Sequence, residues 1–428
     1  MISVLLISVF LFALIGMPIA FALGVGSMIS IFFVSDLPLM IIPQRMFFGL
    51  NSWLLMSIPF FMLAGQLMIH GGMSKRLVDF TSELFGFIKG SLGYISITAS
   101  MIFAGVSGSS SADTAAVGSI ILPIMKDKGY NMKFATALQA AAGSIGPIIP
   151  PSLLMILIGY VTDTSVSQLF LGGIVPGFLI GLGLMVVVFF HVRKNDTIYT
   201  RINTEVSFKR LLLTGIYALP SLGLPLIIIF GIIGGVFSIT ESAVIAVVYG
   251  LIMGIIVYKE ISIYDLPNIL YESAQLSTII LFIQATAFLF SWIITVNEVP
   301  NMLSDLISNL ISTPSGFYSI YILLMLFIGM FMESFSATVI FIPIVFPIAK
   351  ELGIDPVHFG VVTTVGWAIG YITPPFGATL FVSCSISKLS IKEVTPFILP
   401  VLCTMIVVLL IITFIPGSIL FLPNLLAQ

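Results

Sequence analysis

The chain has 428 residues, of which 59% are hydrophobic and 8% charged, with a formal net charge of −2. A soluble domain is about one quarter charged, so these side chains cannot cover a water-facing surface. A mean hydropathy of +1.21 points to an all-α polytopic membrane protein and excludes a disordered chain, a secreted disulfide scaffold and a nucleic-acid binder.

A hydrocarbon core about 30 Å thick requires about 20 apolar residues per helical crossing. Apolar segments fall at 3–34, 53–70, 91–125, 134–158, 168–190, 212–234, 237–258, 276–296, 317–349, 357–384 and 394–416. The first lacks the basic start of a signal peptide and is too long for one, so it is expected to be retained as one span with a weak point at Gly16–Pro18. The stretches 38–51, 74–89, 262–274 and 298–311 mix apolar and charged residues and predict amphipathic helices along the interface. Segments 91–125 and 317–349 are interrupted by small polar residues and end in the short charged loops 126–129 and 350–353. They are predicted to be re-entrant hairpins, because non-helical backbone at membrane depth is tolerated only under protein or beside a water-filled cavity.

The other segments are then full crossings. With the N-terminus inside and the C-terminus outside, only Arg45 and Lys350 of the 16 lysines and arginines lie outside. That is the expected positive-inside asymmetry. The two cysteines, Cys384 and Cys403, have no metal or redox spacing. His70, His191 and His358 fall at predicted helix ends or loops, and Trp53, Trp292 and Trp367 read as interface anchors or core.

An internal repeat organises the chain. A shift of 224 residues places Gly105 on Gly329, Thr114 on Thr338, Pro123 on Pro347, Gly146 on Gly370 and Pro151 on Pro375 without a gap. A shift larger by two places Leu77, Asp79 and Leu84 on Leu303, Asp305 and Leu310. The first hairpin opens inside and the second outside, so the repeats are inverted, as in many secondary transporters. The expected organisation is a first inverted repeat over 1–190, a cytoplasmic linker over 191–211 and a second inverted repeat over 212–428.

Each half carries two interruptions. One is a hairpin tip, at 105–114 and 329–338; the other is a broken helix, at 143–152 and 367–377. A proline cannot donate to the carbonyl four residues earlier. Pro147, Pro150 and Pro151 therefore release the carbonyls of Gly143, Gly146 and Pro147, and Pro374 and Pro375 those of Gly370 and Tyr371. Such oxygens beside hydroxyls suit a hard cation such as Na⁺, and the half-helix that follows presents free N–H groups to an anion. Intramembrane acids are rare and usually functional. Asp113 and Glu333 lie at the two tips, and Glu241 lies early in the span 237–258, where a structural role is expected.

The hydroxyl-rich tip at 107–114, the Gly-Pro-Ile-Ile-Pro-Pro-Ser run at 146–152, Ser-Ile-Thr-Glu at 238–241 and Ile-Thr-Pro-Pro-Phe-Gly at 372–377 together resemble the large membrane subunit of tripartite ATP-independent periplasmic (TRAP) transporters. The family shows Thr-Pro-Thr-Glu where this chain has Ser238-Ile239-Thr240-Glu241. The resemblance spans nearly the whole chain. It implies an elevator-type, Na⁺-coupled importer of an organic acid in the bacterial inner membrane. It also implies a small membrane subunit and a periplasmic substrate-binding protein as partners, and no cofactor beyond Na⁺. Its implied Na⁺ ligands are Ser107, Ser109, Gly146, Ile149 and Pro151 in one site and Glu333, Gly370, Thr373 and Pro375 in the other. Substrate is implied near Ser110, Asp113, Ser152 and Ser336. The hydroxyls of 107–111 and the lack of a nearby arginine favour sialic acid (N-acetylneuraminate) over C4-dicarboxylates.

Three other readings make different demands. A stand-alone Na⁺/carboxylate symporter would need no binding protein. An intramembrane protease could use the Gly-x-Ser-Gly pattern at 105–108, but would need a histidine facing Ser107 within a span. A passive channel would show no coupling to a gradient. The chain has no nucleotide-binding loop.

Overall fold

The computed structural model describes residues 1–34, 37–194, 208–299, 313–375 and 377–426. The described residues contain helices and no strand. Without water in the bilayer core, a helix satisfies each backbone group within its own segment.

Helix α1 (Ile2–Leu14) ends at Gly16, whose φ of +88° favours glycine, and Pro18 precedes α2 (Ile19–Val34). The two helices pack antiparallel: Ser30 Oγ donates to the Met1 carbonyl at 3.1 Å, and Ser8 Oγ lies 3.4 Å from the Gly26 carbonyl. The expected single span over 3–34 is therefore two antiparallel helices, and Met1 lies at the same end as Ser30. Asn297 Nδ2 also lies 3.8 Å from Met1 Sδ. This corrects the expected single crossing: Met1 shares its side with the loop leading to Arg45. The segment before Arg45 has no lysine or arginine, so the count of basic residues could not register the second helix.

Short α3 (Ile41–Phe48) leads to α4 (Trp53–His70) and amphipathic α5 (Met73–Phe85). The first hairpin is α6 (Ser91–Ser107) and α7 (Ser110–Asp127), packed side by side. The first broken helix is α8 (Met132–Gly143) and α9 (Leu153–Thr162). Long α10 (Val166–Lys194) closes this half.

The next described helix, α11 (Phe208–Ile233), begins before 212 and takes in Lys209 and Arg210. Then come α12 (Ile239–Leu251), which runs on as a wider π-helical turn to Val257, and α13 (Leu266–Val296). The predicted interfacial helix at 262–274 is not separate: from Leu266 it is the first part of α13, whose one Gly or Pro, Pro267, lies at the start where a helix tolerates it. Of the predicted interfacial stretch 298–311, residues 300–311 lie outside the described residues, as do Leu303, Asp305 and Leu310 of the repeat and 195–207 of the linker.

The second hairpin is α14 (Pro314–Gly329) and α15 (Ser334–Glu351), and the second broken helix is α16 (Pro356–Gly370) and α17 (Ala378–Ser387). The chain closes with α18 (Ile391–Phe414) and α19 (Gly417–Leu426). Among the described residues, seven helices are long and apolar enough to cross a membrane.

The packing is reciprocal between the halves. Helix α7 lies on α17, and its mate α15 lies on α9; α8 lies on α18, and its mate α16 lies on α10. The first hairpin arm α6 packs on α8, and α14 packs on α16. Each half thus inserts its hairpin arm against the broken helix of the other. This is the inverted-repeat architecture that the 224-residue spacing predicts.

Candidate functional site

Each hairpin tip meets the break of its own half. In the first, Gly108 takes a left-handed φ of +60°, and a side chain there would collide with the Pro151 carbonyl and the start of α9. Glycine therefore lets the tip lie on the break. Ser109 follows in extended backbone at the start of α7, without a side-chain capping bond. Its N–H donates to Ser107 Oγ at 3.1 Å, and the Ser107 hydroxyl donates to Asp113 Oδ1. Asp113 is fully buried, and its Oδ2 accepts no hydrogen bond from the described residues. That oxygen lies where a Cβ on Gly146 would stand, with the Ser109–Ser110 backbone close by. The fold thus gathers Ser107, Ser109, Ser110, Asp113, Gly146 and Pro151 at one place. Ser110 Oγ is also buried without a partner among the described residues.

Most of the carbonyls that proline releases are recaptured. Gly143 accepts from Gly146 N at 3.1 Å and Gly370 from Thr373 N at 3.0 Å. Pro147 accepts from the Ser152 hydroxyl at 2.5 Å, and Tyr371 from Thr379 N and Oγ1 at 3.1 and 2.9 Å. Gly146 is the one of the five whose carbonyl receives no hydrogen bond from the described residues. The same glycine is the one that the Asp113 carboxylate approaches, so a carbonyl without a donor and a buried carboxylate oxygen without a donor belong to one place, and a bound cation would satisfy both.

Ser152 is placed differently from its expected substrate role. It is fully buried, donates to Pro147 and accepts from Met155 N at 3.1 Å as the cap of α9, so its hydroxyl proton is occupied. Ile149 packs on Gly177 of α10 and can offer only its backbone to a ligand.

The second site is built differently. Glu333 caps α15: its Oε2 accepts from Phe335 N at 2.9 Å and Ser336 N at 3.3 Å, while Oε1 accepts from the Tyr371 hydroxyl at 3.0 Å. Gly329 of the hairpin and Gly370 of the break touch backbone to backbone, which no side chain at either position would permit. Ser336 is buried beside the cap, and the Thr373 hydroxyl donates to the Ile369 carbonyl at 2.7 Å. Pro375 is exposed within the break. The carboxylates of the two sites are not equivalent in the repeat: Glu333 corresponds to Ser109, and Asp113 to Ala337. The sequence singled out the Tyr371 carbonyl, but not its hydroxyl bond to Glu333. The only signal for that bond was the residue's place inside the quoted break.

Other polar residues resolve into structure. Glu241 forms a capping box with Ser238, and Thr240 Oγ1 donates to the Trp53 carbonyl at 2.9 Å, joining the starts of α12 and α4. His358 is buried rather than interfacial, bonded to the Tyr318 hydroxyl at 2.8 Å and the Ile412 carbonyl at 3.0 Å. The Ser107 hydroxyl is bonded to Asp113 and to no histidine among the described residues, which removes the basis for the protease reading. Trp367 is wholly buried, and Trp53 is 80% exposed. No cluster of three His, Cys, Asp or Glu side chains suited to a metal occurs among the described residues.

Residues 6–418 match the family model described as the tripartite ATP-independent periplasmic transporter, DctM component. The chain is 40% identical to the uncharacterized protein YgiK of Salmonella typhimurium, covering 96% of this chain and 95% of that one. It is 38% identical to the C4-dicarboxylate TRAP transporter large permease protein DctM of Pseudomonas aeruginosa, covering 94% of each. It is 34% identical to the sialic acid TRAP transporter large permease protein SiaM of Vibrio cholerae, covering 96% and 95%. Among solved structures, the Alcanivorax borkumensis YdaH transporter aligns with a TM-score of 0.61 at 13% identity, covering 89% of this chain and 87% of that one, and so shares the fold. The chain belongs to the DctM family, the large permease component of bacterial tripartite ATP-independent periplasmic transporters, and is a multi-pass inner-membrane protein rather than an enzyme.

Proposed function

We propose that this permease imports an organic acid by Na⁺-coupled symport. One cation would bind between Asp113 Oδ2 and the Gly146 carbonyl, and a second beside Glu333 at the other tip. The observation that carries the reading is the buried Asp113 oxygen without a donor, held against a helix break. A cation there would supply the charge that the protein leaves unpaired. Substrate would lie near Ser110 and Ser336, reached from the break ends.

Part of the hydroxyl argument for sialic acid weakens, because the Ser107 hydroxyl is engaged by Asp113. Relatives named for C4-dicarboxylate and for sialic acid match over similar lengths. The substrate is therefore proposed as an organic acid, and these two compounds are the ones to test.

A small membrane subunit and a periplasmic binding protein are proposed as partners, as the family description implies. The hairpins and broken helices would move together past a scaffold that includes α4, α11 and α12. The charge asymmetry supports an orientation with the basic loops in the cytoplasm. With α1 and α2 antiparallel, Met1 would then face the periplasm.

The deciding measurement is uptake of labelled sialic acid and C4-dicarboxylates into proteoliposomes holding this chain and its small subunit. Each would be run with an inward Na⁺ or K⁺ gradient, with and without the binding protein. Uptake that needs both Na⁺ and the binding protein supports the proposal. Uptake without the binding protein points to a stand-alone symporter, and uptake that ignores the gradient points to a channel.

A further inference from the structure

A cavity of about 290 Å³ opens where amphipathic α5 meets the start of α11, and it is lined by Lys75, Arg76, Asp79, Thr214, Tyr217 and Glu260. It lies outside the transport site, at the membrane-interface end of the bundle. Arg76 is rigidly held: its guanidinium pairs with Glu260 at 3.1 Å, donates to the Gly72 carbonyl at 2.9 Å and lies 3.8 Å over the Tyr258 ring. The Tyr258 hydroxyl in turn donates to the Tyr217 carbonyl at 3.0 Å, tying the end of the π-helical turn to α11. Lys75 and Asp79 have no ion pair within 4.0 Å among the described residues. Burial raises the Asp79 carboxyl above its ordinary range, while Lys75 and Arg76 draw it back.

The four charged groups of the lining sum to zero. A free anion would meet two carboxylates there, and a free cation two bases. A ligand with both charges a few ångströms apart meets no net repulsion and offers partners to Lys75 and Asp79, the two without an ion pair among the described residues. The residues flanking the tyrosine bond, Ile216 and Val257, are 56% and 50% exposed and apolar, which provides a surface for hydrocarbon beside the polar cavity. We propose that this cavity binds the headgroup of a zwitterionic phospholipid, with the phosphate toward Lys75 and Arg76 and the ammonium toward Asp79 and Glu260. Because α5 leads directly into the first hairpin, an occupied cavity would clamp α5 to α11 at the root of that hairpin. The site itself does not depend on the transport reading.

The test is native mass spectrometry of the delipidated full chain in detergent, titrated with phosphatidylethanolamine, phosphatidylglycerol or inorganic phosphate. One phosphatidylethanolamine should be retained per chain, in preference to phosphatidylglycerol and not displaced by phosphate. Retention should weaken at least ten-fold in Lys75→Gln and in Asp79→Asn, changes that leave the Arg76 contacts in place. Equal retention of phosphatidylglycerol, displacement by phosphate, undiminished retention in both variants or no retention by the unaltered chain would each overturn the proposal.

Discussion

The Tyr371 hydroxyl donates a hydrogen bond of 3.0 Å to Glu333, fastening the second hairpin tip to the helix break 38 residues further on. Hydrogen bonds to charged groups contribute about 1.5–3 kcal/mol. Tyr371→Phe keeps the ring and removes this bond. If the carboxylate serves the second cation, the Na⁺ concentration for half-maximal uptake should rise about ten-fold. An unchanged Na⁺ requirement would exclude Glu333 from the ion site.

Asp113 makes the corresponding test at the first tip. Asp113→Asn keeps shape and volume but removes the charge that would hold a cation. Transport should fall to background while the purified protein keeps its melting temperature. Retained Na⁺-driven uptake would show that the unpartnered oxygen has no part in coupling.

The contact between Gly329 and Gly370 tests the packing of tip on break. A methyl group on Gly370 would stand 2.7 Å from the Gly329 Cα, backbone against backbone. Overpacking of this kind costs about 1–3 kcal/mol. Gly370→Ala should therefore lower thermal stability in detergent and abolish transport. An unaltered melting curve would reject the close approach.

Movement of the hairpin can be blocked directly. A Cβ on Gly105 would stand 3.1 Å from the Pro225 Cβ on α11, near the ~3.5–4.5 Å of a disulfide. With Cys384 and Cys403 replaced by serine, the pair Gly105→Cys and Pro225→Cys should form a disulfide on oxidation. Uptake should stop and return on reduction. Full activity of the oxidised protein would argue against an elevator movement of this hairpin relative to α11.

Glu241 should behave as a structural residue. Its carboxylate accepts from the Ser238 N–H at 2.7 Å and the Ser238 hydroxyl at 2.8 Å. Loss of a helix cap costs about 0.5–2 kcal/mol. Glu241→Ala should lower stability while leaving the Na⁺ and substrate dependence of the remaining uptake unchanged. A shifted Na⁺ dependence would move this residue into the transport mechanism.

The sequence by itself determined what is local or repeated. A near absence of charge fixes the solvent as lipid. Glycine and proline set where the backbone cannot remain helical, so both hairpin tips and both breaks are visible as strings of residues. The 224-residue spacing pairs them, because each half needs the same interruptions to build its share of the site. The hairpin carboxylates stand out because an acid at membrane depth is costly.

Only the tertiary structure decided what depends on contacts between distant segments. The 3–34 segment carries no charge, so nothing in its composition showed that it doubles back and brings Met1 beside Ser30. Proline announces that a carbonyl is released, but whether another group recaptures it depends on the path of the loop. Thus the carbonyls of Pro147 and Tyr371 are taken by Ser152 and Thr379, while that of Gly146 is left without a donor among the described residues. The Tyr371–Glu333 bond and the Arg76–Glu260 pair, the latter between residues 184 positions apart, arise in the same way. Side-chain chemistry makes them possible, and the folding of the helices against one another selects them from the alternatives.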